Sequence, residues 1–161
     1  MRTSFFPFLV IGICLALASC APPERINEEQ LRGEIEAFFE EAAEHWNSED
    51  LEAWLSDYAP DPVILADGQR WLSDPDSIKA AFAKHFEEAS ELNWKPEIVQ
   101  VYFPSSRAAV AVLEWTYSFV QDGKTIESPG VETYYLVKDE ARWKVQHEHW
   151  SYPPQTQQEG S

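Results

Sequence analysis

The sequence predicts an α+β fold in which helices pack on one side of a curved antiparallel sheet. Amphipathic helical stripes with capping residues dominate positions 27 to 90, and a turn-flanked pair of short apolar runs interrupts them. Long runs rich in Val, Trp and Tyr fill positions 96 to 153. Helices followed by a run of strands are typical of helices segregated to one face of a sheet.

Two helices are predicted at the start of the domain. Asn27 can cap a helix that ends near Asn47. Its apolar stripe is Leu31, Ile35, Phe38, Ala42 and Trp46. A second, shorter helix begins after Ser48 and ends before Pro60. Its stripe is Leu51, Trp54, Leu55 and Tyr58.

A hairpin and a third helix follow. Asp67-Gly68 between Val63–Ala66 and Gln69–Leu72 is a two-residue hairpin signal. Asp74 can cap the third helix, since Pro75 suits a first turn, and the helix is predicted to end near Ser90. Its stripe is Ile78, Phe82, Phe86 and Ala89.

The second half predicts an antiparallel meander. Its strands are Pro96–Phe103, Arg107–Val120, Thr125–Lys138 and a last strand from Arg142 to Pro153. Because side chains alternate along a strand, we expect Trp143, Val145, His147 and His149 to share one face. An apolar face that ends in imidazoles predicts the wall of a pocket.

The N-terminus predicts a signal peptide over residues 1–19. Arg2 precedes an apolar run from Phe5 to Leu17, which is shorter than the roughly 20 residues that span a bilayer. Leu17-Ala18-Ser19-Cys20 resembles the lipobox of bacterial lipoproteins. That resemblance implies a lipid on Cys20 and a tether over 20–26. Ala21 after the cysteine implies, by the usual sorting pattern of such lipoproteins, an outer-membrane location facing the periplasm.

Charge and cysteine content exclude several functions. The formal charge is −16, and a surface of that sign repels phosphate backbones and anionic head groups, so nucleic acid is excluded as a partner. With Cys14 in the leader and Cys20 lipidated, the domain has no thiol left for a disulfide, a nucleophile or a metal. The tail, 154–161, is polar and predicted to be disordered.

The order of elements narrows the fold further. Two passages add to that order: Asp50 to Asp61 before Val63, and the ending Arg142-Trp143-Lys144-Val145-Gln146-His147-Glu148-His149. With these features the chain resembles the SnoaL-like, DUF4440 branch of the NTF2-like superfamily over about residues 27–153. The resemblance implies a cone, with a bent sheet wrapped on three helices around a cavity, and usually a homodimer through the outer sheet face. It leaves function open, because one fold hosts many activities.

His147 and His149 are the first candidate catalytic residues. An imidazole inside the cone can act as a general acid or base, or can be a core histidine with satisfied hydrogen bonds. Two histidines and one carboxylate, from Glu132 or Asp67, could also meet a metal, but no metal motif supports this and we predict none. His45 and His85 lie on helices beside acids and are expected to be exposed.

Carboxylates and aromatic residues complete the candidates. Glu132 is a candidate catalytic residue and Glu114 a second one, although either could face solvent. Asp67 suits its turn. The candidate ligand-binding residues, which could instead serve the core or a dimer interface, are Trp115, Tyr117, Tyr134 and Tyr58.

These observations predict a binding module for a small hydrophobic or amphipathic molecule. No nucleotide or serine-hydrolase motif is present, so we predict no cofactor. Two alternatives stay open. One is an isomerase, cyclase or dehydratase that uses His147 or His149 as its acid-base group, and the other is a dimeric assembly domain with an unused cavity.

Overall fold

The computed structural model describes residues 26–66, the backbone of 69–72, and residues 74–152. The predicted signal peptide, Cys20, the Asp67-Gly68 turn and the tail lie outside the described residues. The elements are α1 (Glu28–Asn47), α2 (Leu51–Ser56), β1 (Tyr58–Ala66), β2 (Gln69–Leu72), α3 (Pro75–Glu88), β3 (Ser90–Ser105), β4 (Ala108–Gln121), β5 (Lys124–Asp139) and β6 (Arg142–Ser151). The predicted α+β class is confirmed.

Capping residues begin all three helices. The side chain of Asn27 accepts a hydrogen bond from the backbone N–H of Gln30 at 3.3 Å, and that of Asp74 accepts from Ser77 at 3.0 Å. Asp50 caps α2 in the same way. Each cap satisfies a backbone donor that the first helical turn leaves without a partner, which is why these helices begin where the sequence predicts.

The second helix ends earlier than predicted. Tyr58 was assigned to its apolar stripe, but α2 ends at Ser56 and Tyr58 begins β1. Pro60 and Pro62 explain the difference, because a proline drives the residue before it toward extended backbone. The pairing of β1 with β6 is accordingly irregular between Tyr58 and Val63.

The sheet has the order β2-β1-β6-β5-β4-β3. Strands β3 to β6 form the predicted antiparallel meander, and β1 joins β6 in a parallel pair. The helices cover one face of this sheet, which we call the inner face; the opposite side is the outer face. The core contains Ile35, Ile64, Ile78, Leu113 and Leu136, all of which are almost fully buried.

Hydrogen bonds from polar side chains join helix α1 to the sheet. Asn47, the last residue of α1, bonds both the N–H and the carbonyl of Trp94 in β3, at 2.6 and 3.0 Å. Glu34 in α1 accepts hydrogen bonds from Lys138 and from the Trp143 indole. These contacts fix the helical layer over the sheet and so fix the space between them. Among the described residues, no helix is long and apolar enough to cross a membrane.

Candidate functional site

A cavity of about 330 Å³ opens between the helices and the inner face of the sheet. Its floor holds the buried side chains of Glu132 and Glu148, and its mouth lies beside the exposed Lys84 and Glu88 of α3. The remaining lining residues are mostly aromatic: Trp46, Trp54, Phe82, His85, Trp94, Trp115, Tyr117, Tyr134, Trp150 and Tyr152, with Ala81. A concave, largely apolar site with a few convergent polar groups is the usual form of a small-molecule pocket.

The last strand reaches this cavity with Glu148 and not with its histidines. Tyr135 pairs with His147, but the next residue of β5, Leu136, pairs with Val145, so Gln146 is an extra residue in β6. Such a bulge shifts the alternation of side chains by one position. Trp143, Val145 and Glu148 are therefore buried together, whereas His149 is exposed.

The expectation that His147 and His149 line the pocket is wrong. They face the outer side of the sheet, where His147 lies opposite Tyr135 and His149 lies opposite Thr133. The alternation argument failed because it assumed an unbroken strand. Glu148 was missed for the same reason, since it was assigned to the opposite face.

Glu132 and Glu148 form a buried carboxyl pair. They lie on neighbouring strands and are 6% and 4% exposed. The Tyr58 hydroxyl donates to Oε2 of Glu148 at 2.5 Å, and the Tyr134 hydroxyl donates to Glu132. The two carboxyl groups are also hydrogen-bonded to each other. The result is a chain of four groups in which tyrosines flank two acids.

Burial raises the pKa of both acids. Desolvation is the largest cause for each, and the charge of Glu148 raises the pKa of Glu132 further. The pKa of Glu148 is raised to about 7. Because the two acids are hydrogen-bonded to each other in the same apolar space, they titrate as a pair and share a proton between them.

The cavity walls are built from aromatic rings in edge-to-face contact. Trp54 packs this way on Trp46 and on Trp94, and Trp115 on Tyr152. Within the described part of the chain, the indole nitrogens of Trp54 and Trp115 are buried with no hydrogen-bond acceptor, whereas the Trp46 indole N–H is directed at the Tyr117 hydroxyl. An N–H edge can meet the face of a neighbouring ring, which offsets part of that cost.

A histidine and a tyrosine form a second polar contact in the lining. Nε2 of His85 lies 2.5 Å from the Tyr117 hydroxyl, and the His85 ring stacks on Trp46. Burial lowers the pKa of His85 and raises that of Tyr117. The expectation that His85 is exposed is wrong, because α3 turns it toward the sheet.

His45 was also expected to be exposed and is largely buried. Its Nδ1 lies 2.8 Å from Oδ2 of Asp57, whose pKa is raised by burial. The Asp57 backbone carbonyl accepts from the N–H of Val145 in β6. This contact joins the end of α1 to the turn before β1, so it serves the fold and not the cavity.

The other candidate residues divide between the two sheet faces. Glu132 lies on the floor of the cavity, and Glu114 is exposed on the outer face opposite Val131. Trp115, Tyr117 and Tyr134 line the cavity. Tyr58 lies behind its floor, hydrogen-bonded to Glu148. Asp67 lies outside the described residues.

One sequence feature indicates part of the acidic floor. Glu132 stands in an otherwise apolar and aromatic strand, which is unusual for an exposed face, whereas Glu148 lies between two histidines and carries no such signal. Their pairing depends on the register of β5 with β6, which alternation alone does not determine. Within the described residues, no group of three His, Cys, Asp or Glu side chains comes together in a way that could hold a metal ion.

Chemically, the floor offers a proton donor and a proton acceptor side by side in an apolar space. A protonated carboxyl can donate a hydrogen bond or a proton, and its ionised neighbour can accept one. The protein is therefore an α+β protein with a cone-shaped fold, in which an aromatic cavity lies between the helices and the bent sheet.

The chain belongs to the SnoaL-like domain family, whose model matches residues 35–155. That family is part of the NTF2-like superfamily, which the described architecture fits. No curated protein matches the chain significantly.

Solved structures share the fold at low sequence identity. A ketosteroid isomerase-like protein from Erwinia carotovora atroseptica is 21% identical, with a TM-score of 0.68 over 79% of this chain and 98% of that one. An NTF-2 like protein of unknown function from Shewanella oneidensis is 24% identical, with a TM-score of 0.62 over 75% and 98%. A candidate scytalone dehydratase from Novosphingobium aromaticivorans is 14% identical, with a TM-score of 0.71 over 79% and 86%.

Proposed function

We propose that this chain is a lipid-anchored protein of the bacterial envelope whose cavity binds a small apolar or amphipathic molecule. The observation that carries the proposal is the cavity of about 330 Å³, walled by aromatic rings and floored by a buried carboxyl pair. Burying two acids costs stability, and no cationic side chain among the described residues offsets that cost, so a ligand accounts for their burial better than the fold does. An assembly domain with an unused pocket would have no reason to keep such a space.

Binding can be tested with the uncharged fluorescent probe N-phenyl-1-naphthylamine and purified full-length protein. Ala81 lies in the cavity lining, so Ala81→Phe should fill the space and weaken probe binding roughly tenfold or more. Ala80 is exposed on the same helix, and Ala80→Phe is the matched control with unchanged affinity. Equal probe binding by both variants, or none by the parent, would contradict the proposal.

Native mass spectrometry can identify the natural ligand. Protein purified gently from its own cells should carry an extra mass of a few hundred daltons, and Ala81→Phe should not. An empty parent protein that also fails to bind the fluorescent probe would remove the support for a binding role.

The carboxyl pair favours one second candidate, an isomerase- or dehydratase-type enzyme. Such reactions move protons within a substrate, and Glu132 and Glu148 supply an acid beside a base, with the pKa of Glu148 raised to about 7 and that of Glu132 raised as well. The role first considered for His147 and His149 passes to these acids, because the histidines lie on the outer face.

Enzyme activity can be tested by deuterium exchange into enolisable cyclic ketones, followed by NMR. Glu132→Gln and Glu148→Gln should each reduce exchange at least about tenfold, which is the low end for a lost acid-base group. Glu114→Gln and the double variant His147→Ala, His149→Ala are outer-face controls that should leave the rate unchanged. Exchange no faster than in buffer would reject this candidate while leaving the binding role intact.

The envelope location rests on the N-terminal sequence. Leu17-Ala18-Ser19-Cys20 supports lipidation of Cys20, and Ala21 supports sorting to the outer membrane with the domain facing the periplasm. Cys20→Ala should move the protein from the membrane fraction to the soluble fraction, and Cys14→Ala should not.

Within its family we place the chain in the DUF4440 branch, supported by the Asp50 to Asp61 passage and the Arg142 to His149 ending.

A further inference from the structure

The cavity wall presents an unusual number of indole rings. Trp46, Trp54, Trp94, Trp115 and Trp150 all contribute to the lining, together with three tyrosines. The face of an aromatic ring carries partial negative charge, and indole binds cations best among the natural side chains. A wall made mainly of such rings favours a cation over an anion, and it also accommodates an apolar body.

Among the residues that the structure describes, no cationic side chain pairs with the acids on the floor. Glu132 and Glu148 interact with each other and with Tyr58 and Tyr134, and none of these groups is a cation. Among the described lining residues, the basic groups are Lys84, which is exposed at the mouth, and His85. Burial favours the neutral form of His85, because it lowers the imidazole pKa. The compensation for the buried acids is therefore a shared proton.

A ligand cation can replace that proton. An ammonium head placed over the indole faces and beside the carboxyl pair would let both acids ionise, and the displaced proton would pass to solvent. The formal charge of −16 acts in the same direction, because a strongly negative protein raises the local concentration of cations near its surface. An anionic ligand would be repelled by the carboxyl pair and by the net negative charge of the protein.

We propose that the cavity binds an organic cation, an alkylated ammonium compound with an apolar body, between its tryptophan faces and the Glu132 and Glu148 carboxyl pair. This inference rests on the proposed ligand-binding function and names the chemical class of its ligand. Aromatic walls hold the alkyl groups and the charge, and the two acids neutralise the head.

Choline and its uncharged isostere 3,3-dimethylbutan-1-ol separate charge from shape. Both should be titrated into full-length protein by calorimetry and by displacement of N-phenyl-1-naphthylamine. Choline should bind about tenfold tighter than the isostere or better, a factor that lies between those of an exposed and a desolvated cation–π contact. Equal or tighter binding of the isostere would overturn the proposal, as would the absence of saturable choline binding at tens of millimolar.

Removing the carboxyl charges supplies a second readout. The double variant Glu132→Gln, Glu148→Gln should lower choline affinity about tenfold or more and leave the isostere unaffected. Glu114→Gln, on the outer face, should change neither affinity. Unaltered choline binding by the double variant would contradict the inference, and the comparison of choline with its isostere on the parent protein does not depend on any variant folding.

Proton displacement predicts that choline affinity rises from about pH 5 to about pH 8 in the parent and not in the double variant. The other titratable groups around the cavity are Lys84, His85 and Glu88 of α3, Tyr117 of β4, Tyr134 of β5, Tyr58 of β1, and Tyr152 after β6. A rise that persists in the double variant would assign it to one of these groups and overturn the proposed displacement. If the uncharged probe binds while choline does not, the cation inference fails alone; if neither binds, the proposed function fails as well.

Discussion

Glu148 makes the stability of the fold depend on pH near neutrality. Its pKa is raised to about 7 by burial, from 4.5 in an exposed carboxyl. The folded state therefore holds a proton that the unfolded chain releases, so this contribution is fully present below about pH 4.5 and is lost as the pH rises through 7. The change in the free energy of unfolding is on the order of 3 kcal/mol. Thermal unfolding should show a higher midpoint at about pH 5 than at about pH 8.

Glu148→Gln is the control for this pH dependence. The amide keeps the size of the side chain and cannot ionise, so the variant should lose part of the slope between pH 5 and pH 8 and keep the part that comes from Glu132, whose pKa burial also raises. Glu34 has a lowered pKa, chiefly because of its hydrogen bond with Lys138, and acts in the opposite direction below that window. The lowered pKa of His85 opposes the two acids within the window, and its contribution is common to the parent and the variant. A parent protein equally stable at both pH values would show that the pair is not protonated in the folded state.

Gly130 gives Trp115 the space for its position in the cavity wall. The two residues are paired across β4 and β5, and a Cβ at position 130 would lie 2.0 Å from Cζ2 of the indole. Gly130→Ala therefore forces the ring to move, and we expect a loss of about 1–3 kcal/mol in the free energy of unfolding. Binding of the fluorescent probe should weaken as well, because the ring lines the cavity.

Gly33 provides the matched control for Gly130. It is exposed in the middle of α1, and a Cβ there meets nothing within 4 Å. Gly33→Ala should stabilise the protein by about 0.5–1 kcal/mol through helix propensity and leave probe binding unchanged. Chemical denaturation of both variants measures the difference, and a Gly130→Ala variant as stable as the parent would show that the indole has room to shift.

At the scale of the element, the bulge in β6 decides which side chains reach the cavity. Val145 and Glu148 are buried with two residues between them, which a regular strand does not allow. The side chain of the extra residue, Gln146, donates to the backbone carbonyl of Asp61 in β1 at 2.9 Å. The neighbouring strand β1 thus stabilises the bulge through this hydrogen bond, which the local sequence of β6 does not predict.

Deleting Gln146 should restore regular alternation without moving Glu148. Val145 would then be followed by His147 on the outer face and by Glu148 on the inner face, as each is now. We expect a loss of about 1–2 kcal/mol from the missing contact with Asp61, and unchanged binding of the fluorescent probe. Loss of probe binding in a folded variant would indicate that the strand had slipped and carried a histidine inward. His147→Ala, which alters the outer face alone, is the control for probe binding.

The contrast between helices and strands explains how much of each element was predictable. Helix starts depend on caps within three residues, so Asn27 and Asp74 located them from sequence. The faces of β6 depend on a bulge set by β1 and β5, which are distant in sequence. An alternation argument therefore identified the strand and misplaced His147 and His149.

For the whole molecule, the order of elements was sufficient to predict the fold but not the site. Helix, helix, hairpin, helix and meander leave few ways to bury the apolar stripes, and the cone follows. The acidic floor arises where Glu132 of β5 and Glu148 of β6 meet behind the helices. The register between those strands brings the two acids together. The sequence of either strand alone therefore shows a single acid that could face solvent.

The outer face of the sheet predicts the last property of the whole molecule, its association into a homodimer. Tyr102, Val131 and Tyr135 are 58%, 51% and 37% exposed there. Tyr102, Val110, Tyr135 and His147 are paired in turn across four strands, so they form one continuous row. Exposed apolar rows of this kind are typical of protein interfaces.

Tyr135→Glu should convert the expected dimer to a monomer, because it places a charge in the middle of the row and pairing two copies would bury it twice. Ala80→Glu adds the same charge on the exposed side of α3 and should leave the dimer intact. Sedimentation equilibrium of the full-length protein measures both. Since Tyr135 points away from the cavity that Tyr134 lines, the monomer should bind the fluorescent probe as the parent does. A monomeric parent, or a dimeric Tyr135→Glu variant, would show that this face does not form the interface. Loss of probe binding in a monomeric variant would show instead that pairing of the outer faces stabilises the open cavity on the other side of the sheet.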